Sequence, residues 1–336
     1  MFCYTIRIYI AWIFNLTTSF IMLDCAKTTK EKMIIKENLK QYFNFLNGGQ
    51  GFDHWSPSST QNFTRFILNY SLPQELRRSF FIRYKAPFGN LVNNTAQRLL
   101  CEILFQGDKK ITLENKNYDD VFQQELDEIN KLTPPVDDKD KLGRDMMVEF
   151  AHPTIKNVEK AVKEIFNDEK LVAERYVSSK EDEMLFDIIG RIDYESNNKF
   201  VELKTKPPTL KKKRGKDEYY MATTQLPEEP DPMHIKQVAF YYHCTQRKPH
   251  LVYVNENEYK IFDEQYYQLN TKYLEDQYNL MVQRILSWEE LIVFCKGDIK
   301  KLANFSEPPE LNHPFYYRDL IQEQKQTIKN LWGLDA

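Results

Sequence analysis

FDIIGRIDYESNNKFVELKTK, which runs from Phe186 to Lys206, tells more about the fold than any other stretch of the chain. Its two apolar segments, Phe186 to Ile192 and Phe200 to Val201, are rich in the β-branched and aromatic residues that favour strands. Ser196-Asn197-Asn198, between these segments, is typical of a turn. The stretch therefore predicts a β-hairpin.

Charged side chains lie on both predicted strands. Because side chains alternate across a strand, Glu202 and Lys204 share one face, while Val201 and Leu203 point the other way into a core. The turn between the strands brings Asp193 of the first strand beside them. Two carboxylates beside a backbone carbonyl form an oxygen site of the kind that Mg²⁺ or Mn²⁺ prefers, and a nearby lysine can orient or deprotonate a water. The hairpin therefore predicts a metal site suited to phosphodiester hydrolysis.

The same residues also fit an ordinary solvated hairpin face. Charged residues make up 28% of the chain, so acid-x-Lys triplets are common, and others occur at Glu114/Lys116, Glu258/Lys260 and Asp298/Lys300. Of these four triplets, the one at Glu202 alone has an Asp nine residues upstream, at the end of an apolar strand with a turn between. This context favours the metal site.

Length and composition fit a folded protein with one large domain or two small ones. The chain has 336 residues, of which 42% are hydrophobic and ten are glycine. No GxGxxG or Walker-type phosphate loop is present, which argues against a glycine-rich nucleotide-binding fold. The net charge of −3 excludes a global basic field, so any nucleic-acid contact must be local.

Cysteine usage points to a reducing interior. The five cysteines show no CxxC pair and no regular spacing, which argues against a disulfide framework, a zinc site or an iron–sulfur cluster. They are Cys3, Cys25, Cys101, Cys244 and Cys295.

Residues 1 to 32 form a leader of uncertain kind. Arg7 precedes a mostly apolar stretch from Ile8 to Leu23, which is short for the ~20 residues that span a bilayer. No Ala-x-Ala cleavage site follows it. It fits a presequence, a signal peptide, an anchor or a later translation start at Met22 or Met33, and we favour a presequence or a later start over an anchor.

The part from residue 33 to 150 is predicted to be helical. Helical patterns cover Met33 to Leu46, a segment with Phe63 and Phe66 that Ser56 or Ser58 can cap, a polar segment from Pro73 to Pro87, and a segment from Phe88 with Leu91, Val92, Thr95 and Leu99 on one face. Residues 106 to 145 are the most polar, and they predict a helix followed by a surface linker around Pro134-Pro135.

Residues 151 to 265 predict a mixed α/β core with a central sheet. Its expected elements are a helix from Thr154 to Phe166, a strand from Leu171 to Val177 that carries Glu174, the hairpin, a helix that starts at Asp231-Pro232, and strands from Pro249 to Asn255 and from Tyr259 to Phe262. Residues 266 to 336 predict a helical extension, with helices from Tyr266 to Trp288 and from Arg318 to Leu331, which packs on the core or binds a partner.

A dense basic run follows the hairpin. It comprises Lys206, Lys211, Lys212, Lys213, Arg214 and Lys216. Such a run fits a solvated loop, a localisation signal or a phosphate-binding loop. Because it lies close to the predicted metal site, a phosphate-binding loop is favoured at least as much as the other two. Tyr219 and Tyr220 follow it and can stack on bases.

Together these features resemble the PD-(D/E)xK nuclease superfamily, in particular its RecB-like exonuclease branch. The resemblance rests on Asp193, then Glu202-Leu203-Lys204-Thr205, then Gln237 and Tyr241 one turn apart on the next helix. Upstream, Ser56-Pro57-Ser58 resembles the helix-opening signature of this branch. Gly89-Asn90-Leu91-Val92-Asn93 resembles its Gly-x-x-x-His helix, with Asn93 where many members carry a metal-contacting His. The chain looks most similar to exonucleases of marine T7-like phages, and more distantly to the mitochondrial genome maintenance exonucleases.

The resemblance implies a restriction-endonuclease-like core with helical flanks and a Mg²⁺- or Mn²⁺-dependent DNA exonuclease. It implies that Asp193, Glu202 and the Leu203 carbonyl hold the metal, that Lys204 positions the attacking water and that Glu174 is an auxiliary acid. DNA-binding or supporting roles are implied for Gln237, Tyr241, Asn93 and Thr205, and are expected for Lys211, Lys212, Lys213 and Arg214.

Three further expectations concern function and place. A structure-selective endonuclease, a mitochondrial-type single-strand exonuclease and a non-catalytic DNA-binding protein with the same fold stay open as alternatives. DNA is the expected partner, with no small-molecule cofactor and no membrane. An intracellular location is expected, in the bacterial cytoplasm if the chain is phage-encoded and in the mitochondrion if it is eukaryotic.

Overall fold

The computed structural model describes residues 54–60, 62–71, 83–114, 116–295, 298–311 and 322–334. The leader at 1–32, the helix predicted from Met33 to Leu46 and most of the polar helix predicted from Pro73 to Pro87 lie outside these residues. Among the residues that are described, no helix is both long and apolar enough to cross a bilayer.

A central mixed sheet organises the described part of the chain. Its eight strands are β1 (His54–Trp55), β2 (Ile103–Gln106), β3 (Lys109–Thr112), β4 (Val172–Ser179), β5 (Asp187–Glu195), β6 (Lys199–Thr205), β9 (Lys248–Val254) and β10 (Tyr259–Phe262). The order is β10-β9-β6-β5-β4-β2-β3, with β1 parallel to the start of β5. A separate two-stranded sheet joins β7 (Thr209–Lys212) to β8 (Tyr219–Ala222).

Helices cover both faces of the central sheet. They are α1 (Phe63–Ser71), α2 (Lys85–Leu100), α3 (Tyr118–Leu132), α4 (Asp138–Phe166), α5 (Pro232–Thr245), α6 (Thr271–Phe294), α7 (Ile299–Ala303) and α8 (Gln322–Trp332), with a 3₁₀ turn at Tyr267–Leu269. Alternation along β6 separates the two layers: Phe200 joins the core with α5 and α6, while Val201 and Leu203 join the core with α2 and α4. The predicted mixed α/β architecture, with a central mixed sheet between helices, is confirmed.

The hairpin and the helix after it form as predicted. β5 and β6 are antiparallel around the turn at residues 196–198. At the start of α5, the Asp231 side chain accepts a hydrogen bond of 2.8 Å from Met233 N, and Pro232 occupies the first turn. A Cβ on Gly190 of β5 would lie 2.7 Å from the Tyr241 ring, so glycine lets α5 approach the sheet closely.

The predicted boundary between residues 150 and 151 falls inside one helix. α4 begins at Asp138 and not at Thr154, and Pro153 lies in its interior. The expected surface linker is therefore wrong beyond residue 137. Asp137 caps the helix by accepting a 2.7 Å hydrogen bond from Asp140 N, and Arg144 pairs with the buried Asp140 at 3.1 Å. These contacts stabilise an acidic segment as a helix start.

Other expectations for the flanking parts also need correction. Residues before 150 are not wholly helical, because β1, β2 and β3 join the central sheet. Ser56 and Ser58 do not cap α1, which starts at Phe63; they lie in a preceding turn and hydrogen-bond to each other at 3.2 Å. α2 starts at Lys85, before the predicted Phe88, since Pro87 fits the first turn of a helix. By contrast, the C-terminal part packs on the core through α6, which is one of its two expected roles.

Candidate active site

The ladder between β5 and β6 opens at the two predicted metal-binding acids. Only Tyr194 with Val201 and Glu195 with Phe200 pair across this hairpin, whereas β6 pairs with β9 from Lys199 to Thr205. The same register would next place Asp193 opposite Glu202. Instead, Asp193 Oδ2 accepts a hydrogen bond of 2.7 Å from Leu203 N. The carboxylate therefore occupies the point where the two strands separate.

Glu202 is the most deeply buried acid of this group, with 3% of its surface exposed. Its Oε1 lies 2.5 Å from Lys204 Nζ. Its Oε2 is buried and accepts no hydrogen bond from any described residue. Because burial disfavours the charged form, the pKa of Glu202 is raised, with Lys204 opposing the rise and Glu174 adding to it. One carboxylate oxygen is thus available for a cation.

Asp193 shares this electrostatic setting. It is half-buried, and its pKa is raised well above the ordinary range. Burial is the largest cause, and the charges of Glu202 and Glu174 raise the pKa further. The Lys204 ammonium and the Leu203 N–H act in the opposite direction. Acids brought this close repel one another when ionised, so the group favours a bound positive charge.

Lys204 is held between two side chains. Its Nζ lies 2.5 Å from Glu202 Oε1 and donates a 2.7 Å hydrogen bond to Gln237 Oε1 of α5. Burial lowers the pKa of Lys204, but Glu202 and Asp193 outweigh this effect and the pKa is raised overall. Lys204 is therefore a protonated donor in this arrangement, and Gln237 fixes its position.

α2 contributes two amides to the site. Asn93 Nδ2 lies 3.4 Å from Asp193 Oδ1, and Asn93 Oδ1 accepts a 3.0 Å hydrogen bond from Tyr194 OH. One turn later, Gln97 Nε2 donates to the Asp193 carbonyl at 3.1 Å and to Glu174 Oε1 at 2.8 Å. Sequence reasoning missed Gln97, although its i+4 spacing from Asn93 places both on one helix face.

Glu174 lies opposite Asp193 in the β4–β5 register, since Ala173 pairs with Tyr194 and Arg175 with Ile192. Its φ of 58° is in the left-handed region, which a side chain with a Cβ rarely adopts. Such a backbone carries strain on the order of 1–3 kcal/mol. Gln97 and Arg191, the latter at 2.8 Å, take both carboxylate oxygens.

The donor set fits a hard divalent cation in part. Two carboxylates with one open oxygen match the ligands of Mg²⁺ or Mn²⁺. Within the described ranges, however, no group of three or more His, Cys, Asp or Glu side chains is arranged to hold a metal ion. Both oxygens of Glu174 are taken, one of them by the Arg191 cation. Asp193 accepts only from the neutral N–H groups of Asn93 and Leu203, and Glu202 keeps one oxygen open. Asp193, Glu202 and a backbone oxygen are therefore the better candidate ligands.

Tyr241 supports the site from within the core. It is 3% exposed, and its ring meets the Phe200 ring edge-on at 6.1 Å. Burial raises its pKa well above the usual value. Two roles were predicted for Tyr241. Its burial excludes direct contact with DNA, whereas its packing against β5 fits a role in supporting the hairpin.

A cleft of about 340 Å³ opens beside Lys204. Its walls are Lys85, Ala86, Gly89, Asn90, Asn93, Leu203, Lys204, Thr205, Lys206 and His234. Thr205 therefore reaches the predicted region, and its Oγ1 lies 3.0 Å from where a Gly89 Cβ would be. Sequence reasoning missed Lys85 and His234. His234 lies three residues before Gln237, a spacing that places both on one face of α5.

His234 and Lys206 meet over one aromatic ring. His234 Nδ1 lies 2.7 Å from Tyr253 OH, and Lys206 Nζ lies 5.1 Å from the centre of the Tyr253 ring. Burial, then the nearby Lys204 charge, lowers the pKa of His234 to about 4. The imidazole is therefore neutral at pH 7, and the positive charge of the cleft comes from its lysines.

The basic run is divided between a strand and a loop, so the predicted loop is correct for part of it. Lys211 and Lys212 belong to β7, and Lys213 and Arg214 begin the turn to β8. All four are exposed. None of the four lines the cleft beside Lys204, so they are candidates for substrate contact and not for chemistry.

Comparison of the chain with known protein families, with curated proteins and with solved structures gives no match.

Proposed function

We propose that this chain is a divalent-metal-dependent DNA nuclease of the PD-(D/E)xK type, built on a restriction-endonuclease-like core. One observation carries the proposal: Asp193 and Glu202 converge where the β5–β6 ladder opens, with Lys204 beside them and Glu202 Oε2 open. A second support is the order of Asp193, Glu202, Lys204, Gln237 and Tyr241 along the chain, which resembles the motif order of the PD-(D/E)xK superfamily.

Asp193, Glu202 and the Leu203 carbonyl would hold Mg²⁺ or Mn²⁺. When bound, such a metal supplies Lewis-acid activation of water and of a phosphate oxygen. Among the residues of the chain, Lys204 donates from a position fixed by Gln237 at 2.7 Å, which suits a group that orients the attacking water. Asn93 and Gln97 hold Asp193 from the other side. Glu174 adjusts the charge of the site without binding the metal.

The cleft gives a phosphodiester access to this group. Lys85, Lys204 and Lys206 line it, so a polyanion is attracted to the wall beside the carboxylates. His234, being neutral, adds a hydrogen-bonding group without adding charge. A linear end entering the cleft fits an exonuclease, the activity we favour, acting in DNA degradation, replication or recombination.

One observation favours the non-catalytic alternative. Among the described residues, no group of three or more His, Cys, Asp or Glu side chains is arranged to hold a metal ion. A DNA-binding protein that keeps this arrangement would bind DNA through the cleft and release no product.

A nuclease assay separates these functions. The substrates are end-labelled linear and covalently closed circular DNA, single- and double-stranded, each with Mg²⁺ and with a chelator. We expect products from linear DNA in Mg²⁺, none with the chelator, and a loss of at least 100-fold in Lys204→Ala. Lys116→Ala is the matched control, since Lys116 ends another acid-x-Lys triplet and is exposed.

Equal rates for Lys204→Ala and Lys116→Ala would exclude the proposed mechanism. Cleavage of closed circles would identify an endonuclease. DNA binding without any metal-dependent product would identify the non-catalytic alternative.

A further inference from the structure

The hairpin of β7 and β8 has two different faces. Leu210 pairs with Met221 and Lys212 with Tyr219, and the three apolar or aromatic side chains of this inner face pack with the core of α2 and α4. Lys211 pairs with Tyr220 on the other face. Paired residues of antiparallel strands lie side by side on one face. The outer face therefore presents a lysine and a tyrosine next to each other.

The outer face is open and positively charged. Tyr220 is 40% exposed, and Lys211 is exposed beside it. Between residues 211 and 218 there are five cations and two acids. Lys212 pairs with Asp217 at 2.8 Å and Lys213 with Glu218 at 2.7 Å. No ion pair joins Lys211, Arg214 or Lys216 to an acid in the part of the chain that the structure describes.

This outer face continues into the cleft. Thr209 belongs to the same face as Lys211, two residues along the strand. Lys85 Nζ, on the wall of the cleft, donates a 3.2 Å hydrogen bond to Thr209 Oγ1. Leu210 N donates to Tyr84 OH at 2.9 Å, which fixes the base of the hairpin against α2. The cleft wall and the hairpin face thus form one continuous surface.

We infer that this surface binds single-stranded DNA and leads it to the cleft, with Tyr220 stacked on a base and Lys211 on a neighbouring phosphate. The inference rests on the proposed function for its choice of DNA. An exposed aromatic ring beside cations on an open sheet is the chemistry that binds unpaired bases. Along a duplex the base faces are already stacked on each other, so only the terminal pair offers Tyr220 an open base face.

Binding can be measured separately from cleavage. Fluorescence anisotropy of a labelled 20-nucleotide single strand and of the matching blunt duplex is recorded in chelator, where no metal-dependent hydrolysis occurs. We expect tighter binding of the single strand. Tyr220→Ala should weaken it about 5- to 150-fold, the range for loss of one base–aromatic stack, while Tyr220→Phe should bind as wild type. Lys211→Ala should lower the slope of log affinity against log salt by about 0.7.

Matched controls come from elsewhere on the surface. Tyr267, 59% exposed on the 3₁₀ turn, and Lys163, exposed on α4, are replaced by Ala. Both variants should bind as wild type. Circular dichroism and the thermal midpoint report whether Tyr220→Ala keeps the fold. If it does not, the salt slope of Lys211→Ala tests the surface independently, and a slope equal to that of wild type would overturn the inference.

The outcomes distinguish this inference from the proposed function. A duplex bound as tightly as the single strand, or equal affinities for wild type and a folded Tyr220→Ala, would overturn the inference even if DNA is cleaved. Tyr220-dependent binding of single strands without metal-dependent products would support the inference and exclude the nuclease.

Discussion

Glu289 ties helix α6 to β1 and to the residues just before β5, the strand that carries Asp193, and it should make stability depend on pH. Its carboxylate accepts hydrogen bonds from Trp55 Nε1 and Leu185 N, both at 2.8 Å, and from Phe186 N at 3.2 Å. Burial raises its pKa from 4.5 to about 7, although these three donors oppose the rise. The shift corresponds to about 3 kcal/mol, at 1.36 kcal/mol for each unit.

The direction follows from which state binds the proton. Below pH 4.5 the carboxyl is protonated in both folded and unfolded chains, and its contribution to stability is complete. Between pH 4.5 and 7 the unfolded chain releases the proton while the folded chain keeps it, so the free energy of unfolding falls. Above pH 7 both states are ionised and the loss of about 3 kcal/mol is complete.

Urea unfolding of wild type and Glu289→Gln from pH 4 to pH 8 measures this term. We expect the difference in unfolding free energy to change by about 3 kcal/mol in favour of the variant as pH rises, because glutamine does not ionise in this range. Glu290→Gln is the matched control, since Glu290 is the next residue and is exposed. Parallel curves for wild type and Glu289→Gln would refute the reasoning.

Three further changes test the site. Gly190→Ala places a Cβ 2.7 Å from the Tyr241 ring; we expect the free energy of unfolding to fall by about 1–3 kcal/mol in urea, and Tyr241→Leu in the same chain to recover part of it. Asn93→Ala removes the side-chain oxygen that accepts a hydrogen bond from the buried Tyr194 hydroxyl, and it should lower the free energy of unfolding by about 1–3 kcal/mol. The same change should cost less in a Tyr194→Phe background, and a double-mutant cycle measures the difference. Mg²⁺ or Mn²⁺ at about 100 times its dissociation constant should stabilise wild type by about 2.7 kcal/mol, seen as a higher thermal midpoint. The metal should not stabilise Glu202→Gln, and a chelator should abolish the effect on wild type.

Each of these tests has an outcome that contradicts its premise. Unchanged stability of Gly190→Ala would mean that α5 does not approach β5 as closely as described. Additive effects of the Asn93 and Tyr194 changes would mean that the two side chains do not interact. A metal-induced shift of the thermal midpoint that persists in Glu202→Gln would place the metal elsewhere.

Local chemistry in the sequence is sufficient for the hairpin and for the start of α5. A turn tripeptide between two strand-forming segments, and Asp231 followed by Pro232, act through neighbouring residues, so no distant contact is needed to recognise them. The same applies to the shared face of Glu202 and Lys204, which follows from alternation along one strand.

Elements that depend on distant partners could not be recognised in this way. The helix was expected to start at Thr154, whereas Tyr84 N donates a 2.5 Å hydrogen bond to Asp140 and the helix starts at Asp138, 16 residues earlier. The opening of the β5–β6 ladder also depends on a distant partner, because β6 pairs along its length with β9, some 50 residues away in sequence.

The site residues divide along the same line. Asp193, Glu202 and Lys204 belong to one hairpin and were predictable from it. Gln97 and Lys85 come from a helix about 100 residues before it, and only the assembled fold brings them to the carboxylates and to the cleft.

The left-handed backbone of Glu174 has a consequence for selection experiments. Glycine adopts this conformation without steric strain, and a library screened for heat resistance alone should accumulate Glu174→Gly if relief of the strain exceeds the loss of the Gln97 and Arg191 contacts. Under the proposed nuclease function, a library screened for DNA cleavage should keep the acid that lies opposite Asp193. Position 174 therefore records which of the two pressures has acted on a population of variants.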